Sequence, residues 1–370
     1  MLKDPRLEKL ASTLVNYSVQ MQENETVMIY SSIKAKPLIL ALLKEIRSKK
    51  GNPIVELSDD EISRELLFSS TEKSFDRSYR WLDHKLDDID CIIHIIATES
   101  DYTSQDVPME IKLNYSKKMN PLTPKRLGKK WVLLNYPTEG ASHKAKMSFE
   151  KYFDFIIDVS SVDYSKMNEA FIPLKELMEK TDKVRIVGKN TDLSFSIKGM
   201  TAIPCAGNYN IPDGEIFTAP VKNSVNGTIA YNAPSPQRGS VFTNVKLTFE
   251  NGKIIHATAD QELELLESIF NTDEGARYVG EFAIGVNPLV TKPMGDILFD
   301  EKIAGSIHFT PGRCYEEAPN GNDSAIHWDL VMLQTEEYGG GEIYFDDRLI
   351  RKNGRFVISE LQGLNPENLI

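Results

Sequence analysis

Apolar runs alternate with helical periodicities along the first half of the chain. Short apolar runs predict buried strands, and apolar residues spaced three or four positions apart predict helices. Four strands are predicted between helical segments, at 26–30, 53–57, 91–97 and 131–135. Because strand–helix alternation is typical of a parallel sheet covered by helices, we predict an N-terminal doubly wound, mostly parallel α/β domain.

The pattern changes near Lys183, after a helix predicted at 167–183. From there the chain reads as strands separated by glycine-containing turns, with one further helix predicted at 261–270. The pair Asn251-Gly252 lies between two alternating segments and predicts a tight hairpin. We therefore predict two domains, 1–183 and 184–370, the second an α+β domain with a mixed sheet.

Composition narrows the classes of function that remain. The chain has 370 residues, 41% of them hydrophobic, and a formal net charge of −11, which argues against a nucleic-acid partner. Three widely spaced cysteines without a CxxC pair indicate a reducing compartment. We find no signal peptide, no apolar run long enough to span a membrane and no glycine-rich nucleotide motif. These observations predict a cytoplasmic protein that does not bind membranes.

Metal-capable side chains recur on or beside probable strands in the second half. The residues are Asp213, Glu215, Glu281, Glu301, His308, Tyr315, His327 and Asp329. In a strand, alternate residues share a face, so the sequence His-Trp-Asp would place His327 and Asp329 side by side. Burying an imidazole and a carboxylate together is costly unless they are paired or bind a cation.

Each of these residues taken singly is more often structural. A buried glutamate is commonly an ion-pair member, and a histidine on a strand is commonly a satisfied core residue. Taken together, two histidines and several carboxylates on strand edges favour a metal site for zinc, cobalt or manganese. Cys314 lies among them and is interpreted as structural.

The same segments resemble those of a known family. The matching pieces are PDGEIFTAP, GEFAIGVN, FDEKIAGSIHFTPG and SAIHWDL in the second half and YPTEGASHKAKMSFEKYFDFI in the first. They resemble the M29 family of metallo-aminopeptidases, which includes aminopeptidases T and S. The resemblance implies two divalent metal ions per chain, peptide substrates with a free N-terminus, a homodimer and a catalytic Tyr315. It implies these metal ligands: Glu215, Glu281, Glu301, His308, His327 and Asp329.

Such a site would hydrolyse a peptide bond with a metal-activated water. A shared carboxylate would hold the ions together, and Glu215 and Glu281 are both candidates. Tyr315 would donate a hydrogen bond to the tetrahedral oxyanion, and Glu316 or Glu317 could bind the substrate α-amine. The alternatives are another metal-dependent amidase or phosphoesterase, or a non-catalytic metal-binding assembly protein. The acidic segments disfavour a phosphate substrate.

Overall fold

The chain folds into two compact units in a computed structural model that describes residues 4–100 and 102–370. One unit runs to Ser161 and takes in Gly207–Ile211, and the other consists of Val162–Ala206 and Pro212–Ile370. No helix among the described residues is long and apolar enough to cross a bilayer.

Strands dominate the second unit, and most of the helices belong to the first. The strands are β1 Thr26–Ser32, β2 Asn52–Ser58, β3 Cys91–Ile96, β4 Lys130–Asn135, β5 Lys183–Gly188, β6 Thr191–Ser196, β7 Ile203–Cys205, β8 Asn210–Ile211, β9 Glu215–Thr218, β10 Asn226–Ala230, β11 Ser235–Gln237, β12 Ser240–Phe242, β13 Lys246–Glu250, β14 Lys253–Thr258, β15 Val279–Gly285, β16 Ser306–Pro311, β17 Val331–Leu333, β18 Gly341–Phe345, β19 Arg348–Lys352 and β20 Arg355–Phe356. The α-helices are α1 Pro5–Ser12, α2 Lys36–Ser48, α3 Asp60–Phe68, α4 Glu72–Asp87, α5 Met109–Met119, α6 Thr123–Leu127, α7 Glu139–Lys144, α8 Phe149–Val159, α9 Tyr164–Lys180, α10 Leu263–Phe270, α11 Ile297–Asp300 and α12 Pro366–Leu369. Short 3-10 segments and one π-helical segment, Thr13–Ser18, join several of them.

A five-stranded parallel sheet forms the core of the first unit. Its order is β2-β1-β3-β4-β8, and every neighbouring pair runs parallel. The four strands predicted from the apolar runs are β1 to β4, so the parallel α/β architecture is confirmed. The central β3 is almost wholly buried, whereas β2 at the edge is largely exposed.

The second unit contains two large antiparallel sheets. Eight strands follow the order β14-β13-β10-β6-β5-β18-β19-β20, and five follow the order β17-β16-β15-β9-β7. A mixed, mostly antiparallel sheet was predicted, and the ladders of both observed sheets run antiparallel. The predicted hairpin joins β13 to β14, with φ of 49° at Asn251 and 86° at Gly252. A Cβ atom at Gly252 would lie 2.0 Å from the Lys222 carbonyl oxygen, so glycine is required there.

Aromatic side chains pack between the two sheets of the second unit. The Phe195 ring of the eight-stranded sheet lies 5.0 Å from the rings of both Phe282 and Phe309 of the five-stranded sheet. Phe249 packs edge-on against Phe309 at 5.9 Å. Because side chains alternate along a strand, the opposite face of the five-stranded sheet is available for polar groups.

Helix α9 precedes Lys183 but groups with the second unit. The buried hydroxyl of Tyr164, its first residue, accepts a hydrogen bond of 3.2 Å from the backbone N–H of Asp213. The predicted boundary at Lys183 follows the change in periodicity along the sequence. The division by contacts falls earlier, at Ser161, because α9 packs beside the strands that follow it.

Candidate metal centre

Three neighbouring strands bring acidic and imidazole side chains onto one face of the five-stranded sheet. Glu215 begins β9, Glu281 lies in β15 and His308 lies in β16, and all three are buried. Ala283 is paired with His308 on one side and with Phe217 on the other, which fixes the register of the three strands. Since residues two apart share a face, this register aims the three polar side chains to the same side.

His327 and Asp329 reach this face from an extended segment instead of the strand that was predicted. His327 forms an isolated antiparallel bridge with Gly312, and β17 begins only at Val331. Gly312 has a φ of 111°, and a Cβ there would lie 2.1 Å from the Ile326 carbonyl oxygen, so glycine is required where the two segments approach. The side-by-side prediction still holds, because His327 Nε2 lies 3.2 Å from Asp329 Oδ1. Trp328 faces the opposite way, against Phe242 and Phe270.

Glu301 enters the site from the end of the short helix α11. It immediately follows Asp300, the last residue of that helix, and one of its carboxylate oxygens lies 2.5 Å from Lys302 Nζ. The same ammonium lies 2.6 Å from Glu215 Oε1 and 3.7 Å from Asp213 Oδ1. Lys302 therefore joins three carboxylates that could otherwise face a cation.

The candidate ligands form two adjacent groups that meet at Glu281. One group is Glu215, Glu301 and His308, and the other is Glu281, His327 and Asp329. Within each group the potential ligand atoms lie within 4.8 Å of one another. Glu281 Oε1 is 3.2 Å from His308 Nε2, and Glu281 Oε2 is 3.1 Å from His327 Nε2. One carboxylate thus faces both imidazoles, one with each oxygen.

The hydrogen-bonding pattern of His327 fits a cation ligand. Its Nδ1 lies 2.7 Å from the Arg313 carbonyl oxygen, which can only accept, so Nδ1 carries a proton. Nε2 then points at carboxylate oxygens of Glu281 and Asp329 without a hydrogen bond of good geometry. A neutral imidazole would aim a lone pair at negative oxygens there, which is unfavourable unless a proton or a metal ion lies between them.

Electrostatics in the metal-free protein lead to the same conclusion. Burial lowers the pKa of His308, but the charges of Glu215 and Glu281 outweigh it and raise that pKa to about 10. The pKa of His327 is likewise lowered by burial but raised overall, to about 11, chiefly by Asp329. Protons on both imidazoles therefore provide the positive charge that the carboxylates require. A buried Glu215 Oε2 without a hydrogen-bond partner is a further acceptor for a cation.

Glu301 differs from the other carboxylates of the site. Burial raises its pKa to about 8, against the opposing charge of Lys302. Burial also raises the pKa of Asp329, but the charge of His327 outweighs it and the net shift is downward. At neutral pH, Asp329 is therefore ionised, whereas Glu301 is partly protonated.

Tyr315 lies at the exposed side of the cluster. Its ring packs 4.7 Å from the His327 ring and 5.3 Å from the Phe217 ring, and 45% of the residue remains accessible. Desolvation and the neighbouring carboxylates raise the pKa of its phenol. The hydroxyl is therefore a neutral hydrogen-bond donor on a side chain that is partly accessible to solvent.

The structure adds two residues that the sequence did not single out. The Thr310 hydroxyl donates a hydrogen bond of 2.7 Å to Asp329 Oδ1, and Lys302 binds the carboxylates described above. Thr310 follows His308 by two positions, so strand alternation could have placed it on this face. Lys302 carried no such signal, because a lysine beside a glutamate usually lies at the surface.

Comparison with known proteins identifies a family and a fold. The sequence profile of the family described as thermophilic metalloprotease (M29) matches residues 3–356. Aminopeptidase 2 of Geobacillus stearothermophilus is 22% identical over an alignment of 381 positions, which covers 89% of this chain and 92% of that protein. Aminopeptidase T of Thermus thermophilus is 31% identical over 169 residues, 41% of each chain.

A solved structure shares the fold. Wild-type AmpT from Thermus thermophilus aligns with a TM-score of 0.79 at 20% sequence identity. The alignment covers 96% of this chain and 99% of that one, so the predicted α/β and α+β architecture is confirmed over nearly the whole length.

Proposed function

The chain belongs to the M29 family of thermophilic metalloproteases, and from this membership we propose that it is an aminopeptidase. It uses two divalent metal ions, zinc, cobalt or manganese, to remove the N-terminal residue from peptides. Similar proteins named aminopeptidase 2 and aminopeptidase T support the choice of exopeptidase over endopeptidase. The geometric observation that carries the two-ion proposal is the position of Glu281 between the two histidine-containing groups.

Glu281 is the better candidate for the shared carboxylate, a choice that the sequence left open between Glu215 and Glu281. Its two oxygens face His308 and His327 separately. Glu215 instead directs Oε1 at Lys302, which leaves one oxygen for an ion. In this proposal Glu281 would contact both ions, Glu215, Glu301 and His308 would hold one of them, and His327 and Asp329 the other.

Charge balance supports two ions over one. Five carboxylates meet here, and among the described residues Lys302 is the single permanent cation in contact with them; the five are Asp213, Glu215, Glu281, Glu301 and Asp329. Ionising all five would leave four uncompensated negative charges if both histidines were neutral. Buried charges must be compensated, and two divalent ions supply four positive charges. Imidazole and carboxylate are also the donors that zinc, cobalt and manganese accept.

Each of the surrounding protein residues would have a separate role in catalysis. The ions would supply an activated water and polarise the peptide carbonyl. Tyr315 would donate its phenolic hydrogen to the carbonyl oxygen as negative charge develops on it. An oxygen of the carboxylate cluster that is not bound to an ion would take the proton from the water. Glu316 or Glu317, exposed in the turn after Tyr315, would bind the free α-amine.

A substrate pair tests the proposal directly. Chelator-treated protein would be reconstituted with zinc, cobalt or manganese and offered a peptide and its N-acetylated counterpart. We expect release of the N-terminal residue from the free peptide alone, because acetylation removes the charge that the α-amine site recognises. Equal cleavage of both peptides, or internal cleavage, would refute an aminopeptidase, and full turnover in excess chelator would refute the metal requirement.

The proposed enzyme would act in the cytoplasm as a homodimer. The composition and the family resemblance support these two features, and the three cysteines are unpaired. Light scattering of the metal-loaded protein at micromolar concentration tests the assembly. We expect twice the mass of one chain, and a single-chain mass would refute the dimer.

A further inference from the structure

Lys302 is a fully buried lysine among the carboxylates on the His308 side of the acidic cluster. Only 2% of it is accessible, and its ammonium contacts Glu301, Glu215 and Asp213. A buried lysine normally loses its charge unless it is compensated. Here three carboxylates surround the ammonium and compensate its charge. The ammonium is therefore a fixed positive charge within the site.

The Lys302 ammonium donates a hydrogen bond to one carboxylate oxygen of Glu215 and to one of Glu301. It takes Glu215 Oε1 at 2.6 Å, whereas Glu215 Oε2 is buried, lacks a hydrogen-bond partner and lies 3.6 Å from His308 Nε2. It also takes Oε1 of Glu301 at 2.5 Å. Glu215 can thus present Oε2 towards His308, and Glu301 keeps its second carboxylate oxygen. A third group of potential metal ligands consists of Cys205, Asp213 and Glu215. The Lys302 ammonium already contacts the two carboxylates of that group.

In the other half of the site, no lysine or arginine among the described residues is paired with Glu281 or Asp329, whose ion-pair partners are the two histidines. Asp329 is held by the Thr310 hydroxyl, and His327 by the Arg313 carbonyl oxygen, both neutral groups. We propose that Lys302 is a positioning residue that makes Glu215 and Glu301 single-oxygen ligands and thereby sets the affinity of the His308-side metal position. This inference rests on the proposed metal-dependent function, and it assigns no direct contact between Lys302 and substrate.

A simple counter-charge would behave differently from a positioning group. If the ammonium only balanced charge, its removal would strengthen the attraction of the site for cations. If it orients two ligands, its removal leaves both carboxylates free to rotate, and metal binding weakens. Losing a group that orients metal ligands typically costs 10–100-fold in metal affinity. The direction of the change therefore separates the two roles.

Cobalt titration of metal-free protein, followed by absorbance, provides the test. The equivalent lost in His308→Ala identifies the His308-side position, and Thr310→Val is the matched control for the other position. We expect Lys302→Met to weaken the His308-side equivalent about 10–100-fold and to leave the other within about threefold. Thr310→Val should do the reverse. Unchanged or tighter binding at the His308-side position in folded Lys302→Met would overturn the proposal.

The wild-type protein decides the matter if Lys302→Met does not fold. A crystal structure with cobalt bound should show Glu215 with one oxygen on Lys302 Nζ and the other on the ion. Two Glu215 oxygens on the ion, or an ammonium turned away from both glutamates, would overturn the inference. Both experiments measure metal binding and not peptide cleavage, so failure of the aminopeptidase proposal would be recognised separately.

Discussion

The substitution Tyr315→Phe isolates one hydroxyl of the proposed site. The ring rests between His327 and Phe217, at 4.7 Å and 5.3 Å, and phenylalanine preserves both contacts. The candidate metal ligands are untouched, and a neutral phenol is a poor ligand for zinc, cobalt or manganese. The change therefore removes a hydrogen-bond donor without altering the packing or the metal content.

The expected loss follows from the role of the hydroxyl. Removing one donor to a developing oxyanion lowers kcat about 10²–10³-fold, or about 2.7–4 kcal/mol of transition-state stabilisation. KM should change little, because the hydrogen bond forms mainly as charge develops in the transition state. The free energy of unfolding should change by less than about 1 kcal/mol, since the ring is half-exposed and the apolar contacts remain.

The assay compares kcat, KM and metal content in three proteins: the wild type, Tyr315→Phe and Tyr344→Phe. Tyr344 is the matched control, because its hydroxyl donates to Glu342 on β18 and not to the acidic cluster. We expect the control to keep wild-type turnover. A kcat for Tyr315→Phe within about threefold of the wild type, less than about 0.7 kcal/mol, would refute the oxyanion role. The stabilisation would then rest with the metal ions.

Three further predictions concern the ligands, the titration and the core. Glu281→Gln should remove both metal equivalents and Asp329→Asn only one, as measured by metal analysis; equal losses would refute a shared Glu281. In thermal melts, the metal-free protein should lose stability as the pH rises from 6.5 to about 10. The reason is that His308 has a raised pKa and keeps its proton in the folded protein, whereas it loses the proton in the unfolded chain. The metal-loaded protein should not show this pH dependence. Phe309→Ala should cost about 3–5 kcal/mol in urea unfolding, and a loss below about 1 kcal/mol would contradict its place in the aromatic core.

Local periodicity was sufficient to predict four of the five strands in the first unit's sheet. Strands β1, β3 and β4 are short apolar runs buried by their neighbours, so the sequence of each reports its environment. The fifth strand, β8, was not predicted because it is two residues long and comes from a distant part of the chain. Pairing of that kind depends on tertiary contacts that the local pattern does not encode.

The sequence was sufficient to predict which residue types form the candidate site, but not which side chains contact one another there. Carboxylates and histidines on alternating strands indicated metal, and all six candidate ligands lie in the two adjacent groups. The extended segment at His327 was predicted as a strand, because a single bridge and a continuous ladder have the same apolar pattern. The shared position of Glu281 and the burial of Lys302 depend on which strands are neighbours, and spacing along the sequence does not report that.

The aromatic core and the acidic site depend on the same strand register. Along β15, Glu281 faces the site while Phe282 packs on Phe195 between the sheets. A slip of one residue exchanges the two faces of a strand, so it would bury the Glu281 carboxylate among aromatic rings and expose Phe282 to the charged cluster. Both changes are costly, because an unpaired buried charge and an exposed aromatic side chain each raise the free energy. The apolar face therefore selects the one register in which the carboxylates and imidazoles of β9, β15 and β16 meet, and it does so before any metal ion is bound.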